Sequence, residues 1–376
     1  MVSRPLITVL GASGFIGSHV VAELAGRPVR LRAVARRPTV PAGLGRSVAD
    51  VETRAVDLSR PGALAEAVAG SDAVVHLVAH LDGAGAWRAA DGDSAAERLN
   101  TGLVQELADA LRPTPATGRP PAVVLFASTA TTTPDPTTGT GRPATTGLGP
   151  ATTGLAPANA APDPATTGLA PANAAPAPAN AAPAPASTAP ATPYERQKAA
   201  AERILADATA AGELCGVSLR LPTVFGPATA PAVDRGVVSA MARRALDGEP
   251  ITMWHDGTVR RDLLYVRDAA TAFTAALDHA RTLAGRHWSV GSGHATPLGD
   301  VFRALAATVA SRTGGPPVPV RRVEPPAFAS AADFRDVRTD PAPFGSATGW
   351  APRVPLREAL DRTVAALAGP HGKDLL

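Results

Sequence analysis

The chain has 376 residues, enough for a large domain and a smaller companion. Its net charge is only +3 and it has no basic runs interleaved with aromatic residues, which disfavours a nucleic-acid partner. No stretch approaches the ~20 apolar residues of a membrane-spanning helix, and the single cysteine, Cys215, excludes an intrachain disulfide and favours a reducing, cytoplasmic compartment.

Short β-rich runs alternate with helical runs through the first 130 residues. The expected strands are 6–10, 29–35, 73–78 and 122–127, and the expected helices are 16–25, 61–69 and 95–111. This alternation predicts an α/β fold, a doubly wound parallel sheet with helices on both faces. A helix at 194–211, a strand at 217–221 and later helices at 298–312 and 356–368 predict a smaller C-terminal α/β lobe.

A glycine-rich turn joins the first predicted strand to the first helix. Glycines there allow a tight turn and the close approach of a pyrophosphate, whose charge is met by the amides and dipole of the helix N-terminus. The G-x-x-G-x-x-G spacing in a strand–turn–helix context predicts a dinucleotide site, the alternative being a turn without a ligand. The expected cofactor contacts are Gly11, Ser13, Gly14, Phe15, Ile16 and Gly17.

Two arginines, Arg36 and Arg37, follow the second strand, where an acidic residue would bond the ribose of NAD. Because arginine can pair with a 2′-phosphate, we expect NADPH (NADP) to be favoured over NADH (NAD). The alternative is a pair of solvated surface arginines. Asp57 and Leu58 are expected beside the adenine, although Asp at a strand end is also an ordinary helix cap.

Residues 131–193 are almost entirely Ala, Pro, Thr, Gly and Asn, and the same twelve residues occur at 151–162 and 165–176. With one leucine per copy and no aromatic residue, this segment cannot bury enough apolar surface to offset the entropy of ordering it. We expect a mobile, exposed loop, above all over 143–185, rather than a solenoid. A lid over the site is the functional alternative.

Tyr194 and Lys198 are four residues apart on a predicted helix and therefore share one face. The Lys198 ammonium can lower the pKa of the phenol from ~10 toward the range of a general acid. Ser128 or Thr129, at the end of the strand before the repeats, can hydrogen-bond a carbonyl oxygen as it is reduced. Tyr-x-x-x-Lys alone is a common chance pattern, so the order of the three motifs carries the interpretation.

In this order the motifs resemble the extended short-chain dehydrogenase/reductase superfamily, the sugar-nucleotide epimerases, dehydratases and ketoreductases. Segments 76–79, 221–227 and 261–266 are also similar to family patterns. The resemblance implies a Rossmann-like fold, with Thr129 as the catalytic hydroxyl beside Ser128, Tyr194 as the acid and Lys198 on the nicotinamide ribose. It further implies cofactor contacts at Leu77, Ala79, Asn100, Lys198, Pro222 and Val224, and substrate contacts at Arg261, Phe225, Trp254 and Arg335.

Segments 33–38, 87–100 and 253–258 resemble NDP-hexose 4-ketoreductases of antibiotic deoxysugar biosynthesis. This implies NADPH-dependent reduction of a keto group, at carbon 4, on a nucleotide-linked deoxyhexose. The alternatives are a 4-epimerase that retains NAD and a non-catalytic dinucleotide sensor or scaffold. Ala130 and Thr131, in place of the usual Asp-Glu, disfavour a dehydratase, and segment 329–332 lacks the family's second diphosphate-binding arginine, for which Arg335 can substitute.

The resemblance also implies a division of the chain. Residues 1–130 and 194–221, completed around 263–291, would bind NADP, residues 131–193 would form the loop, and residues 222–262 and 292–368 the substrate lobe. We expect a nucleotide-sugar substrate and neither nucleic acid nor membrane as a partner, while a homodimer stays open. The eight histidines show no metal-ligand spacing, so no metal is expected.

Overall fold

The computed structural model describes residues 4–37, 47–80, 92–113, 119–131, 190, 192–229, 236–327 and 329–369. The described parts of 1–132 and 189–376 belong to one compact unit. Of the predicted loop 131–193, residues 132–189 and 191 lie outside the described residues. Its expected exposure and mobility therefore stay a prediction, as does the division of the chain into a dinucleotide domain and a substrate lobe.

The strands of the described residues form three sheets. In chain order they are β1 (Leu6–Leu10), β2 (Arg30–Ala35), β3 (Asp50–Ala55), β4 (Ala73–His76), β5 (Val123–Thr129), β6 (Cys215–Leu221), β7 (Thr223–Phe225), β8 (Ile251–Met253), β9 (Arg260–Tyr265), β10 (Arg286–Ser289), β11 (Ala295–Pro297) and β12 (Val320–Arg322). The large sheet is parallel, in the order β10-β6-β5-β4-β1-β2-β3. The order reverses between β1 and β4, and ligands of such sheets bind at the carboxyl ends of the strands at this point. The predicted fold class is confirmed.

The helices of the described residues connect and cover these strands. They are α1 (Phe15–Ala25), α2 (Ala63–Val68), α3 (Ser94–Glu97), α4 (Leu103–Leu111), α5 (Pro193–Ala210), α6 (Val237–Leu246), α7 (Val266–Asp278), α8 (Ala280–Leu283), α9 (Leu298–Thr313), α10 (Ala342–Thr348) and α11 (Leu356–Leu367). None of those in the described part of the chain is long and apolar enough to cross a membrane. The single helix expected at 95–111 is instead α3, a π-helical turn at Arg98–Gly102, and α4.

Two apolar clusters hold the helices on the large sheet. All five residues of β1 are buried, as expected for a central parallel strand with helices on both faces. On one face Leu24 of α1 and Phe273 of α7 pack together, and on the other Leu107 of α4 and Leu205 of α5 pack against Phe126 of β5. Both catalytic candidates of α5 are therefore carried on a helix that the core fixes.

A third cluster joins the small sheets to the C-terminal helices. Phe225 of β7, Val238 of α6, Phe302 of α9 and Leu360 of α11 share it. β9 pairs in parallel with β7 and antiparallel with β11. This packing supports β9, the strand that carries Arg261.

His76, the last residue of β4, is completely buried. Its ring lies edge-on to Phe126, with 5.6 Å between ring centroids. Neither ring nitrogen has a hydrogen-bond partner within the described residues. Burial lowers the pKa of His76 from 6.5 to about 3, so the folded protein keeps this ring neutral.

Replacing His76 should make the fold more resistant to acid. Between pH 6.5 and about 3 the unfolded chain binds a proton at His76 that the folded chain does not, so this group costs up to ~1.4 kcal/mol of stability for each unit that the pH falls. In His76→Leu the free energy of unfolding should therefore decline less steeply over this window. Urea unfolding from pH 7 to pH 4 tests this, with His294→Gln, an exposed histidine, as the control. Parallel declines in wild type and His76→Leu would contradict it.

Candidate active site

Helix α5, which carries the catalytic candidates Tyr194 and Lys198, begins with a strong start signal. The Thr192 side chain accepts a hydrogen bond from the Glu195 amide at 3.1 Å, and the Glu195 carboxylate accepts one from the Thr192 amide at 3.2 Å. Pro193 occupies the first helical turn, where its missing N–H costs nothing. This capping box fixes the position of Tyr194, one residue inside the helix.

Lys198 is buried between the helix and the end of β5. Its Nζ donates to the carbonyl oxygen of Ala127 at 2.8 Å and lies 4.5 Å from the Phe126 ring centroid and 5.6 Å from that of Tyr194. Burial lowers the pKa of Lys198 to about 7, and the negative charge of Glu202 opposes this lowering. The ammonium is thus one that a bound ligand oxygen would stabilise.

Tyr194 is also buried, with 6% of its surface exposed. Burial raises the pKa of its phenol well above the usual range, because the phenolate would lose its hydration. The expectation that Lys198 lowers this pKa is therefore wrong, because burial is the effect that shifts it. The phenol is therefore held in its protonated form, as a weaker acid than an exposed phenol.

Ser128 and Thr129 end β5 beside the carbonyl that holds Lys198. The Ser128 hydroxyl oxygen is buried and has no hydrogen-bond partner within the described residues. The Thr129 hydroxyl lies 2.9 Å from the Thr131 hydroxyl and accepts from the Thr131 amide at 3.3 Å. Both hydroxyls lie at the strand end next to Lys198, so the choice between them stays open.

The glycine turn between β1 and α1 fits a dinucleotide. Gly11 has φ of +83°, and a Cβ there would lie 3.3 Å from the Leu77 backbone. A Cβ on Gly17 would lie 2.1 Å from the Gly11 carbonyl oxygen, so no side chain fits. Gly14 caps α1 without any side-chain hydrogen bond, which leaves the helix N-terminus to an anion. Ser13, Phe15 and Ile16 lie in the same turn and are partly exposed.

Arg36 and Arg37 are exposed directly after β2. The Asp57 carboxylate accepts from the Ser59 amide at 3.0 Å and from its hydroxyl at 2.7 Å. These bonds, and to a lesser degree the charge of Arg36, lower the pKa of Asp57. Asp57 thus caps a local turn within electrostatic reach of Arg36. The Leu58 side chain is buried in the core, and the contact of either residue with adenine stays a prediction.

Asn100 connects the segment after β4 to the catalytic helix. It is completely buried within the π-helical turn. Its side chain accepts from the His80 amide and donates to the Gln197 side chain, both at 2.8 Å. Segment 77–80, which holds Leu77 and Ala79, is therefore tied to α5 one residue before Lys198.

The remaining predicted contacts lie around β6 to β9. Pro222 and Val224 are partly buried after β6, and Trp254 is partly buried after β8. Phe225 is buried against Tyr265, with 6.4 Å between ring centroids, so its side chain belongs to the core.

The two predicted substrate arginines both make bonds within the chain. The Arg261 guanidinium donates to the main-chain oxygens of Ala332 at 3.3 Å, Asp333 at 2.8 Å and Arg335. Arg335 donates to the Glu195 carboxylate at 2.8 Å. Their binding of substrate stays a prediction.

Sequence reasoning missed two acidic residues of this site. Glu195 was detectable from Thr192-x-x-Glu195, the capping-box pattern. Glu202 lies four residues after Lys198, and its carboxylate binds the buried Arg220 guanidinium at 2.6 Å. No local pattern indicates the arginine that each carboxylate binds, Arg335 for Glu195 and Arg220 for Glu202. No group of His, Cys, Asp and Glu that could hold a metal is found among the residues described.

The sequence matches the NAD dependent epimerase/dehydratase family over residues 7–154 and 165–291. A UDP-glucose 4-epimerase of Mycolicibacterium smegmatis is 30% identical over 46% of this chain and 52% of its own. A dTDP-L-rhamnose 4-epimerase of Burkholderia thailandensis is 31% identical over 30% of this chain and 31% of its own. The chain thus spans about half or less of the curated relatives it matches.

Solved structures share the fold over nearly the whole chain. The Thermus thermophilus UDP-glucose 4-epimerase complex with NAD is 25% identical, with a TM-score of 0.66 over 97% of this chain and 99% of that one. RMD from Pseudomonas aeruginosa, complexed with NADPH, is 20% identical, with a TM-score of 0.63 over 96% of this chain and 98% of that one. Chains of this fold thus occur with either nicotinamide cofactor.

Removing the Lys198 charge should stabilise the cofactor-free protein at neutral pH. Between pH about 7 and 10.5 the unfolded chain holds a proton that the folded chain has lost, so stability rises with pH by up to ~1.4 kcal/mol per unit. Lys198→Met should lack this rise and gain most stability below pH 7. Denaturant unfolding from pH 6.5 to 9.5 measures it, with exposed Arg203→Met of the same helix as control. An identical pH dependence in wild type and Lys198→Met would refute the buried charge.

Proposed function

Since the chain belongs to the NAD-dependent epimerase/dehydratase family, we propose that it uses NADPH to reduce the carbon-4 keto group of a nucleotide-linked deoxyhexose. Members of this family are NAD(P)-dependent enzymes that act on sugar nucleotides. The proposal narrows that class to one cofactor and one direction of reaction.

The observation that carries the proposal is the exposed pair Arg36 and Arg37 after β2. In a doubly wound fold this position faces the adenosine ribose, and guanidinium groups there favour a 2′-phosphate. A reductase consumes its cofactor in each turnover and must exchange it, which suits NADPH. The glycine turn and the open N-terminus of α1 would hold the pyrophosphate of the same molecule.

The side chains of the site suit proton donation to a carbonyl oxygen. The dihydronicotinamide supplies hydride to the carbonyl carbon when the cofactor is bound. Tyr194, whose pKa is raised by burial, is protonated and donates to the oxygen. Lys198 binds the ribose hydroxyls, and Thr129 or Ser128 donates a hydrogen bond that stabilises the charge developing on the oxygen. Asn100 and Gln197 keep α5 in register with the segment after β4.

A 4-epimerase is the second candidate. It is favoured by the similarity to 4-epimerases in two curated relatives and in the Thermus thermophilus structure. An epimerase would oxidise and re-reduce the same carbon with no net consumption of cofactor. Ala130 and Thr131, which offer no carboxylate at the strand end, disfavour a dehydratase.

The cofactor preference should depend on Arg36 and Arg37. We expect NADPH to bind at least about tenfold more tightly than NADH, equivalent to ~1.4 kcal/mol. Arg36→Ser/Arg37→Ser should erase the difference, because the 2′-phosphate loses its cationic partners. Calorimetric titration with both cofactors measures this, with Arg303→Ser, an exposed arginine paired with Asp300, as control. Equal affinity of the unmodified protein for NADPH and NADH would remove the main support for a reductase.

The reaction itself is tested with nucleotide-linked 4-keto-6-deoxyhexoses, by following NADPH oxidation and the reduced sugar. Tyr194→Phe should lower turnover by about 10²- to 10⁴-fold, as expected for a lost general acid, with NADPH affinity little changed. Near-normal turnover in this variant would mean that Tyr194 is not the acid. Conversion of UDP-glucose to its 4-epimer without NADPH oxidation would favour the epimerase instead.

A further inference from the structure

Glu195 is a buried carboxylate directly after the proposed catalytic acid. Only 2% of its surface is exposed, although it lies in the first turn of a helix. One carboxylate oxygen accepts from the Thr192 amide and the other from Nη2 of Arg335, at 2.8 Å. Arg335 is 140 residues later in the chain. The start of the catalytic helix is therefore bonded to a distant C-terminal segment.

Arg335 retains a donor that the described chain does not satisfy. Its Nε is buried and has no hydrogen-bond partner within the described residues. An unsatisfied buried donor costs about 1–3 kcal/mol, and more on a charged group, so an acceptor from outside the chain is expected there. The Arg335 side chain as a whole is 34% exposed, so the group that carries the buried Nε borders solvent.

The same segment also holds Arg261. The main-chain oxygens of Ala332, Asp333 and Arg335 accept from the Arg261 guanidinium. The segment 332–335 therefore carries one guanidinium and orients a second. The Glu195 carboxylate, which binds Arg335, links this arrangement to Tyr194, its neighbour in the chain.

We propose that Glu195 is a positioning residue, which orients Arg335 so that its Nε donates to an anionic oxygen of the substrate diphosphate. A planar guanidinium with one N–H fixed by a carboxylate and another N–H available matches a phosphate oxygen better than a sugar hydroxyl. This inference rests on the proposed function only in taking the substrate to be a nucleoside diphosphate sugar. Substrate recognition is thereby coupled to the helix that carries the acid.

The test uses UDP and dTDP as probes, titrated calorimetrically into the full-length protein, so that no turnover is needed. Glu195→Gln and Arg335→Ala should each weaken the tighter of the two nucleotides about tenfold or more. The double variant should be no worse than Arg335→Ala alone, because both changes remove one interaction. Arg335→Lys should not rescue binding, since lysine can pair with Glu195 but has no Nε donor. NADPH affinity should stay unchanged in all four variants.

Thr192→Ala is the matched control, because it removes the helix cap but leaves Glu195 and Arg335 in place. It should lower the melting temperature without weakening nucleotide binding. Wild-type nucleotide affinity in Glu195→Gln or Arg335→Lys, strictly additive losses, or an equal loss of NADPH binding would overturn the inference. If Glu195→Gln fails to fold, the Arg335 variants carry the same test. A wild-type protein that binds NADPH but neither nucleotide would overturn the proposed substrate class, and this inference with it.

Discussion

The hydrogen bond from the Lys198 ammonium to the Ala127 carbonyl is the contact on which the rest of the site depends. It joins α5 to the end of β5, with 2.8 Å between the Lys198 Nζ and the Ala127 oxygen. Because Lys198 lies against Phe126 in the core, α5 is fixed there, and Tyr194 is held one helical turn before Lys198. A cation so buried is costly, and it is retained only with compensating partners. The Ala127 carbonyl, the Phe126 and Tyr194 rings and the charge of Glu202 are these partners.

Burial acts in opposite directions on the two members of this pair, yet it favours the neutral form of each. It raises the pKa of Tyr194 and lowers that of Lys198 to about 7. The phenol therefore keeps its proton, while the lysine can be recharged by an oxygen ligand that approaches it. The protonated phenol can donate a hydrogen bond, but its raised pKa makes it a weaker acid than an exposed phenol.

Local patterns predicted the elements, and long-range contacts determined what the patterns could not show. The buried strand β1, the glycine turn and the helix that carries Tyr194 and Lys198 each depend on residues close in sequence. The structure contains all three. The predicted helix 95–111 was interrupted because Asn100 turns inward to bond His80 and Gln197, which needs a π-helical turn. α6 and α7 were missed, although their apolar residues recur at helical spacing. The Glu195 to Arg335 bond spans 140 residues and has no signature in either segment.

Hydrogen bonds on both sides of the repeat segment hold the two elements that it connects, β5 and α5. On one side the Ala130 amide donates to the Leu221 carbonyl at 2.8 Å, which keeps the end of β5 on β6. On the other side the reciprocal hydrogen bonds between Thr192 and Glu195 start α5, with Pro193 as its first residue. Neither anchor uses a residue of 132–189, so both catalytic elements are fixed whatever length of chain joins them. Loop closure entropy grows only with the logarithm of length, at about 0.6 kcal/mol per doubling. The core and the capping box, rather than the repeat segment, therefore position Thr129 and Tyr194.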